Sequence, residues 1–187
     1  MVRTLAVVDV QNIFYGLKRV TGVGEARFDY VRFRKEMTTS PEDLFVAYVV
    51  TPVVGRDSVA GIPLRDDSAF VHFMKKAGYK IQRHFARVYM EEGDKEVQFD
   101  RTSPADRMFL DTLRYLGSYD RLVIVSGSGS MIPLAEKAKE KGKKVVVASF
   151  DKAGDLNREL AALADELVHL DATYRYVKRS TAWPTTT

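Results

Sequence analysis

An acid and an amide follow a predicted strand, at the end that a folded sheet would leave exposed. Asp9 directly follows a short apolar run, and Asn12 comes three residues later. Asp is disfavoured inside strands and is costly to bury without a partner, so a carboxylate at this position needs an explanation. Asp9 is either the N-cap of the helix that follows or a ligand for a divalent cation. Asn12 either caps that helix or orients Asp9.

Two further acids, Asp106 and Asp111, lie in a later predicted helix. Asp106 falls in the first turn, where the helix dipole alone favours an acid. Asp111, taken alone, is more typical of a solvated helix face than of a ligand. If the fold brings the start of this helix close to Asp9, the acids form a carboxylate cluster, which is the kind of site that holds divalent cations.

A loop of small residues, Ser126–Ser130, follows another apolar run and precedes a helix. A glycine-rich loop in this position can present backbone N–H groups to a phosphate, or it can simply be a tight turn. It lacks the spacing and the Lys of a P-loop. Serine hydroxyls could hold a phosphate oxygen or a water, but they are poor Mg²⁺ ligands without carboxylate help.

The elements that must position these residues alternate between strand and helix. Because the strands are mostly continuous apolar runs, the pattern predicts an α/β fold, a three-layer α/β/α sandwich with a mostly parallel central sheet. In such sheets, ligands bind beyond the carboxyl ends of the strands, where the strand order reverses. The predicted strands are Leu5–Val8, Leu44–Val50, Leu122–Val125, Lys144–Ser149 and Leu167–Leu170, and the helices between them include Ile13–Val20, Ser68–Ala77, Met131–Lys141 and Asn157–Ala164.

Three segments give more specific local predictions. Ser103 and Pro104 have the residue types of an N-cap and a first helical position, so a helix begins there. Tyr79–Tyr89 is one strand or two, and Val97–Phe99 pairs with it. Thr51–Asp67 contains two prolines and two glycines and is predicted to be a long loop.

Composition limits the classes of function. The 187 residues carry 29 basic and 25 acidic side chains, a net charge of +4, which permits a nucleic-acid partner without demanding one. Cys is absent, which excludes a disulfide scaffold, a Cys-ligated zinc finger and a thiol nucleophile. The absence of Cys fits a reducing cytoplasm, where we expect the protein. No apolar run approaches the length that spans a bilayer, so we expect no membrane partner.

The order of these motifs resembles the NYN domains, a branch of the PIN-like nucleases, over about residues 4–171. The family's first strand ends in a pattern like F-I-D-x-x-N, and Ala6–Asn12 is similar to it. Its third strand ends in S-G-D-x-D-F-x-P-L, which Ser126–Leu134 resembles. Its other motifs are similar to Asp29–Phe33, Pro104–Leu110, Gly142–Val145 and Ala164–Leu170.

The resemblance implies Mg²⁺- or Mn²⁺-dependent cleavage of RNA, in which carboxylates hold ions that activate water. It implies catalytic roles for Asp9, Asp106 and Asn12, and metal ligation by Asp9, Asp106 and Asp111. Asp111 is the weakest match, because it lies five residues after Asp106 where the family spacing is six. The residues implied in substrate binding are Ser126, Gly127, Ser128, Ser130 and Arg107.

The sequence departs from the family at one place, since Ser128 and Ser130 occupy the two acidic positions of S-G-D-x-D. A hydroxyl brings no charge to offset a cation, so metal affinity should fall. The serines belong either to a natural member that binds without cutting or to a chain whose cleavage was disabled by substitution. Three hypotheses follow: a metal-dependent ribonuclease, a non-catalytic RNA-binding or scaffold protein, and a small-molecule phosphate binder.

Domain organisation and partners complete the predictions. Residues 1–171 form one NYN domain and residues 172–187 a C-terminal tail. Tyr15 and Tyr48, near strand ends, either stack on RNA bases or pack in the protein. A homodimer is a further expectation, because the aromatic residues of the tail are predicted to be exposed and could dock on a partner; they are Tyr174, Tyr176 and Trp183.

Overall fold

The structure is a computed structural model, and it describes residues 2–21, 26–54, 69–91, 94–99, 103–151, 154–171 and 176–179. These residues form nine strands and six helices. The strands are β1 (Thr4–Asp9), β2 (Ala26–Phe28), β3 (Leu44–Val54), β4 (Lys80–Glu91), β5 (Asp94–Phe99), β6 (Arg121–Val125), β7 (Lys144–Ser149), β8 (Glu166–His169) and β9 (Val177–Arg179). The helices are α1 (Val10–Thr21), α2 (Tyr30–Met37), α3 (Ala69–Lys76), α4 (Pro104–Leu116), α5 (Ile132–Glu140) and α6 (Arg158–Leu163).

Seven strands form the central sheet, in the order β5-β4-β3-β1-β6-β7-β8. Neighbouring strands run parallel throughout, except that β5 pairs antiparallel with β4 at one edge. β1 lies in the middle and pairs with β3 on one side and β6 on the other. The predicted mostly parallel sheet is therefore confirmed, and so is the pairing of Val97–Phe99 with the strand before it.

Helices cover both faces of this sheet, because its strands bury side chains in both directions. Ala6 and Val8 of β1 pack in one core with residues of α1, α2 and α3. Leu5 and Val7 point the opposite way and pack with residues of α4, α5 and α6. Successive side chains of a strand alternate between faces, so one apolar strand supplies both cores. The three-layer sandwich predicted from the sequence is confirmed.

Local capping fixes where the helices begin. The Ser103 side chain accepts a hydrogen bond from the backbone N–H of Asp106, and Pro104 is the first residue of α4, as predicted. Asn157 caps α6 and Asp29 caps α2 in the same manner. α1 begins at Val10, three residues earlier than predicted, because the Asp9 carboxylate satisfies the backbone N–H of Asn12.

Two features differ from the sequence predictions. β3 continues through residues 51–54, where the start of a loop was predicted, and residues 55–67 of that loop lie outside the described residues. A second, two-stranded sheet pairs β2 with β9, and no sequence pattern predicted it.

The prediction that Tyr176 is an exposed aromatic is wrong. Tyr176 is 4% exposed and packs against Phe28 and Phe33, and its hydroxyl donates to Glu36 Oε2 at 2.7 Å.

Tyr174 and Trp183, the other aromatics of the tail, lie outside the described residues. The division of the chain at residue 171 stays a prediction, and so does the homodimer. No helix of the described ranges is long and apolar enough to cross a membrane.

Candidate functional site

The carboxyl ends of β1 and β6 meet at the point where the sheet topology reverses. These two strands are parallel neighbours, but the helix after β1 packs on one face of the sheet and the helix after β6 packs on the other. The backbone therefore diverges and leaves a crevice beyond the strand ends, which is where ligands bind in open α/β sheets. Most of the side chains singled out in the sequence lie here.

Asp9 ends β1 and is held by hydrogen bonds to both carboxylate oxygens. Oδ1 accepts from the Asn12 backbone N–H at 3.0 Å, and Oδ2 accepts from the Ser126 hydroxyl at 3.3 Å. The first bond is the capping role considered for Asp9 in the sequence. The second joins residues 117 positions apart and ties the carboxylate to the end of β6.

The environment of Asp9 disfavours its charge. Burial raises the pKa of the Asp9 carboxyl above its usual range, and the hydrogen bonds from Asn12, Ser126 and Gln11 offset this only in part. Among the described residues, no Lys or Arg lies within ion-pair distance of Asp9. Its charge also contributes, after burial, to the raised pKa of Tyr30. A poorly solvated carboxylate without a cation at a strand end is typical of a functional position.

The Ser126–Ser130 loop is held mostly by its own polar groups. The Asn12 side-chain oxygen accepts from the Gly127 N–H at 3.0 Å, so Asn12 orients the loop while its own backbone N–H bonds Asp9. The Ser126 hydroxyl accepts from the Ser128 N–H at 3.3 Å. The hydroxyls of Ser128 and Ser130 lie 2.8 Å apart, and one donates to the other.

These bonds bear on the phosphate-binding interpretation of the loop. The N–H groups of Gly127, Ser128, Ser130 and Met131 each donate to an acceptor within the protein. A phosphate-binding loop needs N–H groups that point outward without partners. Most N–H groups of this stretch are therefore engaged inside the protein, which makes the small-molecule phosphate binder the least supported of the three hypotheses.

Sequence reasoning missed a group of residues that support the loop from the protein side. A Cβ added to Gly127 would lie 2.2 Å from the Asp155 carbonyl oxygen and 2.3 Å from the Ser149 hydroxyl, so only glycine fits there. Asn157 donates its N–H to the Gly127 carbonyl at 2.8 Å. Arg19 of α1 forms an ion pair with the buried Asp155 side chain. The glycine at position 127 was the available signal, since glycines are used where backbones approach closely.

Asp106 lies on the surface and bonds Ser103, the N-cap of its own helix. The Asp106 Oδ2 accepts from the Ser103 hydroxyl at 2.7 Å, and the Asp106 N–H donates to the Ser103 Oγ at 3.1 Å. Within the described residues, its hydrogen bonds go to Ser103 and none goes to Asp9. α4 does pack against β1 and against the short 3-10 turn Gly129–Met131 that follows the loop. The helix predicted to carry a second acid is thus next to the site, but that acid is engaged elsewhere.

Asp111 is a buried, ion-paired residue rather than a solvated one. Its side chain is 4% exposed, and its oxygens lie 3.0 Å from Arg107 Nε and 3.5 Å from Arg114 Nη1. After burial, its charge is the next cause of the raised pKa of Tyr48. Arg107, expected to bind substrate, holds Asp111 while its side chain stays 48% exposed. Asp111 therefore has a structural role in this geometry.

The family's divalent metal can be tested against these donors. Mg²⁺ binds through one or two carboxylates together with waters and substrate phosphates. Asp9 supplies one carboxylate, Asp106 and Asp111 are engaged with other side chains, and the loop offers neutral hydroxyls. No group of three or more His, Asp or Glu side chains that could hold a metal occurs in the described parts of the chain. The residues present do not fit a tightly held ion.

The fold and the position of these residues define the class of protein. A mostly parallel three-layer sandwich with an Asp and an Asn at its central switch point is an α/β domain of the PIN-like kind. The NYN domain family matches residues 3–171, and the chain therefore belongs to the NYN domain family. The resemblance found in the sequence is confirmed.

A solved structure agrees on the fold. A Vibrio parahaemolyticus RIMD 2210633 protein of unknown function, VPA0982, is 22% identical, with a TM-score of 0.67 over 91% of this chain and 93% of that one. At this identity the likeness shows the fold alone. The structure of Sa239 is 13% identical, with a TM-score of 0.40 over 88% of this chain and 59% of that one, which is too low to bear on the argument. No curated protein matches the chain.

Proposed function

We propose that this chain binds RNA at the carboxyl ends of β1 and β6, and that the metal-dependent cleavage implied by its family is reduced or lost. One observation carries the proposal. Ser128 and Ser130 stand at the two acidic positions of the family pattern, and their hydroxyls bond each other at 2.8 Å in the loop anchored to Asp9.

The chemistry of the donors explains the expected loss. A divalent cation in a partly buried site needs ligand charge to compensate for its lost hydration, and hydroxyls bring none. Asp9 alone leaves half of the cation's charge uncompensated. Binding of RNA needs no metal, because phosphate contacts to Arg and Lys release counterions and supply affinity by themselves.

Basic side chains border the site from both faces of the sheet, which favours RNA over a neutral ligand. On α4, Arg107 and Arg114 are 48% and 71% exposed while they hold Asp111. On α1, Arg19 is 54% exposed and Lys18 is exposed beside it. α1 begins directly after β1, and α4 contacts β1 and the 3-10 turn that follows the loop. A phosphate chain lying across β1 and β6 would therefore meet cations on either side.

The test separates binding from cleavage. In EDTA, the chain should bind a single-stranded RNA with an affinity that falls as the salt concentration rises. In Mn²⁺, the chain should cleave the same RNA little or not at all. Calorimetry with Mn²⁺ alone should show at least a tenfold gain in affinity for the Ser128→Asp, Ser130→Asp double variant, because two charges are added beside Asp9.

Ser118→Asp is the matched control, since Ser118 is an exposed serine in the turn before β6, at the opposite end of that strand. It should leave Mn²⁺ affinity unchanged. Asp9→Asn in the double-variant background should remove the gain. Rapid Mn²⁺-dependent cleavage by the unmodified chain would contradict the proposed loss, and failure to retain RNA at low salt would contradict the binding function.

A further inference from the structure

α1 begins directly after Asp9 and presents two different faces. Its buried residues are Ile13, Gly16 and Leu17, which face the sheet. Positions three and four apart lie together on a helix, so residues 11, 14, 15 and 18 share the opposite face. These are Gln11, Phe14, Tyr15 and Lys18, all exposed.

Two aromatic rings on this outer face are open to solvent. Phe14 is 60% exposed and Tyr15 is 46% exposed. Their ring centroids lie 5.4 Å apart in an edge-to-face arrangement, so the rings form one contiguous aromatic surface. Single exposed apolar residues are ordinary, but adjoining large aromatics on a solvent face mark an interaction surface. We call Phe14 and Tyr15 the α1 aromatic pair.

The position of the α1 aromatic pair relates it to the candidate site. At a rise of about 1.5 Å per residue, Phe14 lies about 7.5 Å beyond Asp9 along the helix axis, which is the scale of one extended nucleotide. Asn12, which bonds the loop, precedes the pair on the same helix. Tyr48, the other aromatic considered for stacking, is 4% exposed and packs in the core, so it is not available to a base.

The basic residues around the α1 aromatic pair indicate the class of ligand that binds there. Lys18 lies one turn after Phe14 on the exposed face, and Arg19 lies one turn after Tyr15 with 54% of its side chain exposed. Aromatic rings flanked by cations are the combination that binds single-stranded nucleic acid, because bases stack on the rings while phosphates meet the charges. A duplex keeps its bases stacked on each other and offers the rings no base face.

We infer that the α1 aromatic pair is a base-stacking platform, so that the RNA this chain takes is single-stranded and lies along α1 with unstacked bases against both Phe14 and Tyr15. The inference rests on the proposed function, since it names the form of RNA that the same crevice receives. It adds two residues that follow the Ala6–Asn12 stretch, and a preference for unpaired bases.

Fluorescence anisotropy in EDTA tests the platform with the full chain. The probes are a labelled single-stranded RNA of roughly 12 nucleotides, an abasic strand with the same phosphates, and a duplex of equal length. Phe14→Ala and Tyr15→Ala should each weaken single-strand binding about tenfold, since a stacked base contributes about that much to affinity. Tyr15→Phe should bind like the unmodified chain.

The abasic strand should bind the unmodified chain and both alanine variants equally, and the duplex should bind the unmodified chain more weakly than the base-bearing strand does. Lys18→Gln should instead weaken all three probes and lower the salt dependence. Leu167→Ala, at an exposed apolar residue of the distant strand β8, is the matched control and should change nothing.

Three results would overturn the inference. If the alanine variants bind the base-bearing strand as the unmodified chain does, stacking is wrong while RNA binding stands. If no probe is bound by any variant, the proposed function fails as well. If Phe14→Ala or Tyr15→Ala instead converts a sedimenting dimer to a monomer without affecting RNA affinity, the pair is a protein interface.

Discussion

Asp9 is a residue whose surroundings serve something other than stability. Its carboxylate caps α1 and receives the Ser126 hydroxyl, yet burial still raises its pKa, with those hydrogen bonds as smaller opposing effects. A site that only needed a cap could use Asn or Ser without burying a charge. The retained acid is therefore a cost to the fold, as is usual where a charge is held ready for a ligand.

Asp9→Asn should stabilise the protein at neutral pH. Because the folded chain binds the Asp9 proton more tightly than the unfolded chain, Asp9 contributes stability at low pH that is lost as pH rises through its raised pKa. Above that pKa the buried charge remains, and asparagine removes it. Its side-chain oxygen can still accept from Asn12, and its amide can donate to Ser126.

The expected gain is on the order of 1 kcal/mol in the free energy of unfolding at about pH 7.5, shrinking towards zero below the ordinary Asp pKa of about 3.9. Urea unfolding of both chains at several pH values measures it. Ser126→Ala serves as the comparison, since it removes a hydrogen bond that lowers the Asp9 pKa and should cost stability at neutral pH. A stability difference between Asp9→Asn and the unmodified chain that is independent of pH would contradict the argument.

At the residue scale, the sequence predicted which side chains could act chemically better than it predicted which partners they contact. The Asp9 and Ser103 caps follow from residue types, whereas the Asp9–Ser126 contact depends on the β1–β6 pairing, which the sequence did not predict. That Asp106 bonds Ser103 and that Asp111 is buried between two arginines do not follow, because (i, i+3) and (i, i+4) pairing depends on rotamers and on which face the core covers.

The close approach between elements at Gly127 governs how the loop is held. Here the backbone after β6 touches the backbone at Asp155, in the segment after β7, and the Ser149 side chain at the end of β7. A backbone atom cannot move aside as a flexible side chain can. The loop position is consequently fixed by two neighbouring elements as well as by its own hydrogen bonds.

Gly127→Ala should therefore cost about 1–3 kcal/mol of unfolding free energy, the usual range for overpacking a filled site. It should also weaken RNA binding, since the loop must shift away from Asn12. Denaturant unfolding measures the first effect. Gly117→Ala is the matched control: Gly117 has helical dihedral angles and nothing within 4 Å of an added Cβ, so it should be neutral or slightly stabilising. Equal effects of the two changes would refute the close-approach explanation.

At the element scale, long apolar strands were predictable and the small sheet was not. β1, β6 and β7 are continuous aliphatic runs, and a parallel sheet buried on both faces requires such runs. β2 and β9 are three residues each and lie some 150 positions apart, so neither periodicity nor a turn signal joins them. Their pairing depends on tertiary contacts that only the folded chain supplies.

The molecule as a whole is closed by its C-terminal part. Tyr176 packs against Phe28 and Phe33, its carbonyl accepts from the Asp29 N–H at 2.6 Å, and its hydroxyl donates to Glu36. β9 then pairs with β2. Residues beyond the 3–171 family match therefore complete the core on the α1–α3 face.

Tyr176→Ala should cost about 3–5 kcal/mol of unfolding free energy, because it empties a large buried site. Tyr176→Phe keeps the ring and loses the bond to Glu36, so it should cost only about 1 kcal/mol. Thermal unfolding ranks the two. If both variants unfold at the temperature of the unmodified chain, Tyr176 does not stabilise the core.

The central place of β1 has a consequence for how the chain folds. β1 is completed only when it pairs with β6, whose residues emerge from the ribosome more than a hundred residues after those of β1. Pairing strands across such separations requires the chain to close a large loop, and the entropy of closure is lost before the strand contacts stabilise it. Such pairing therefore slows folding. Asp9 and Ser126 thus meet late. A nascent chain stalled before β6 would expose an unpaired, strongly apolar strand edge, so the domain depends on finishing synthesis before its candidate site exists.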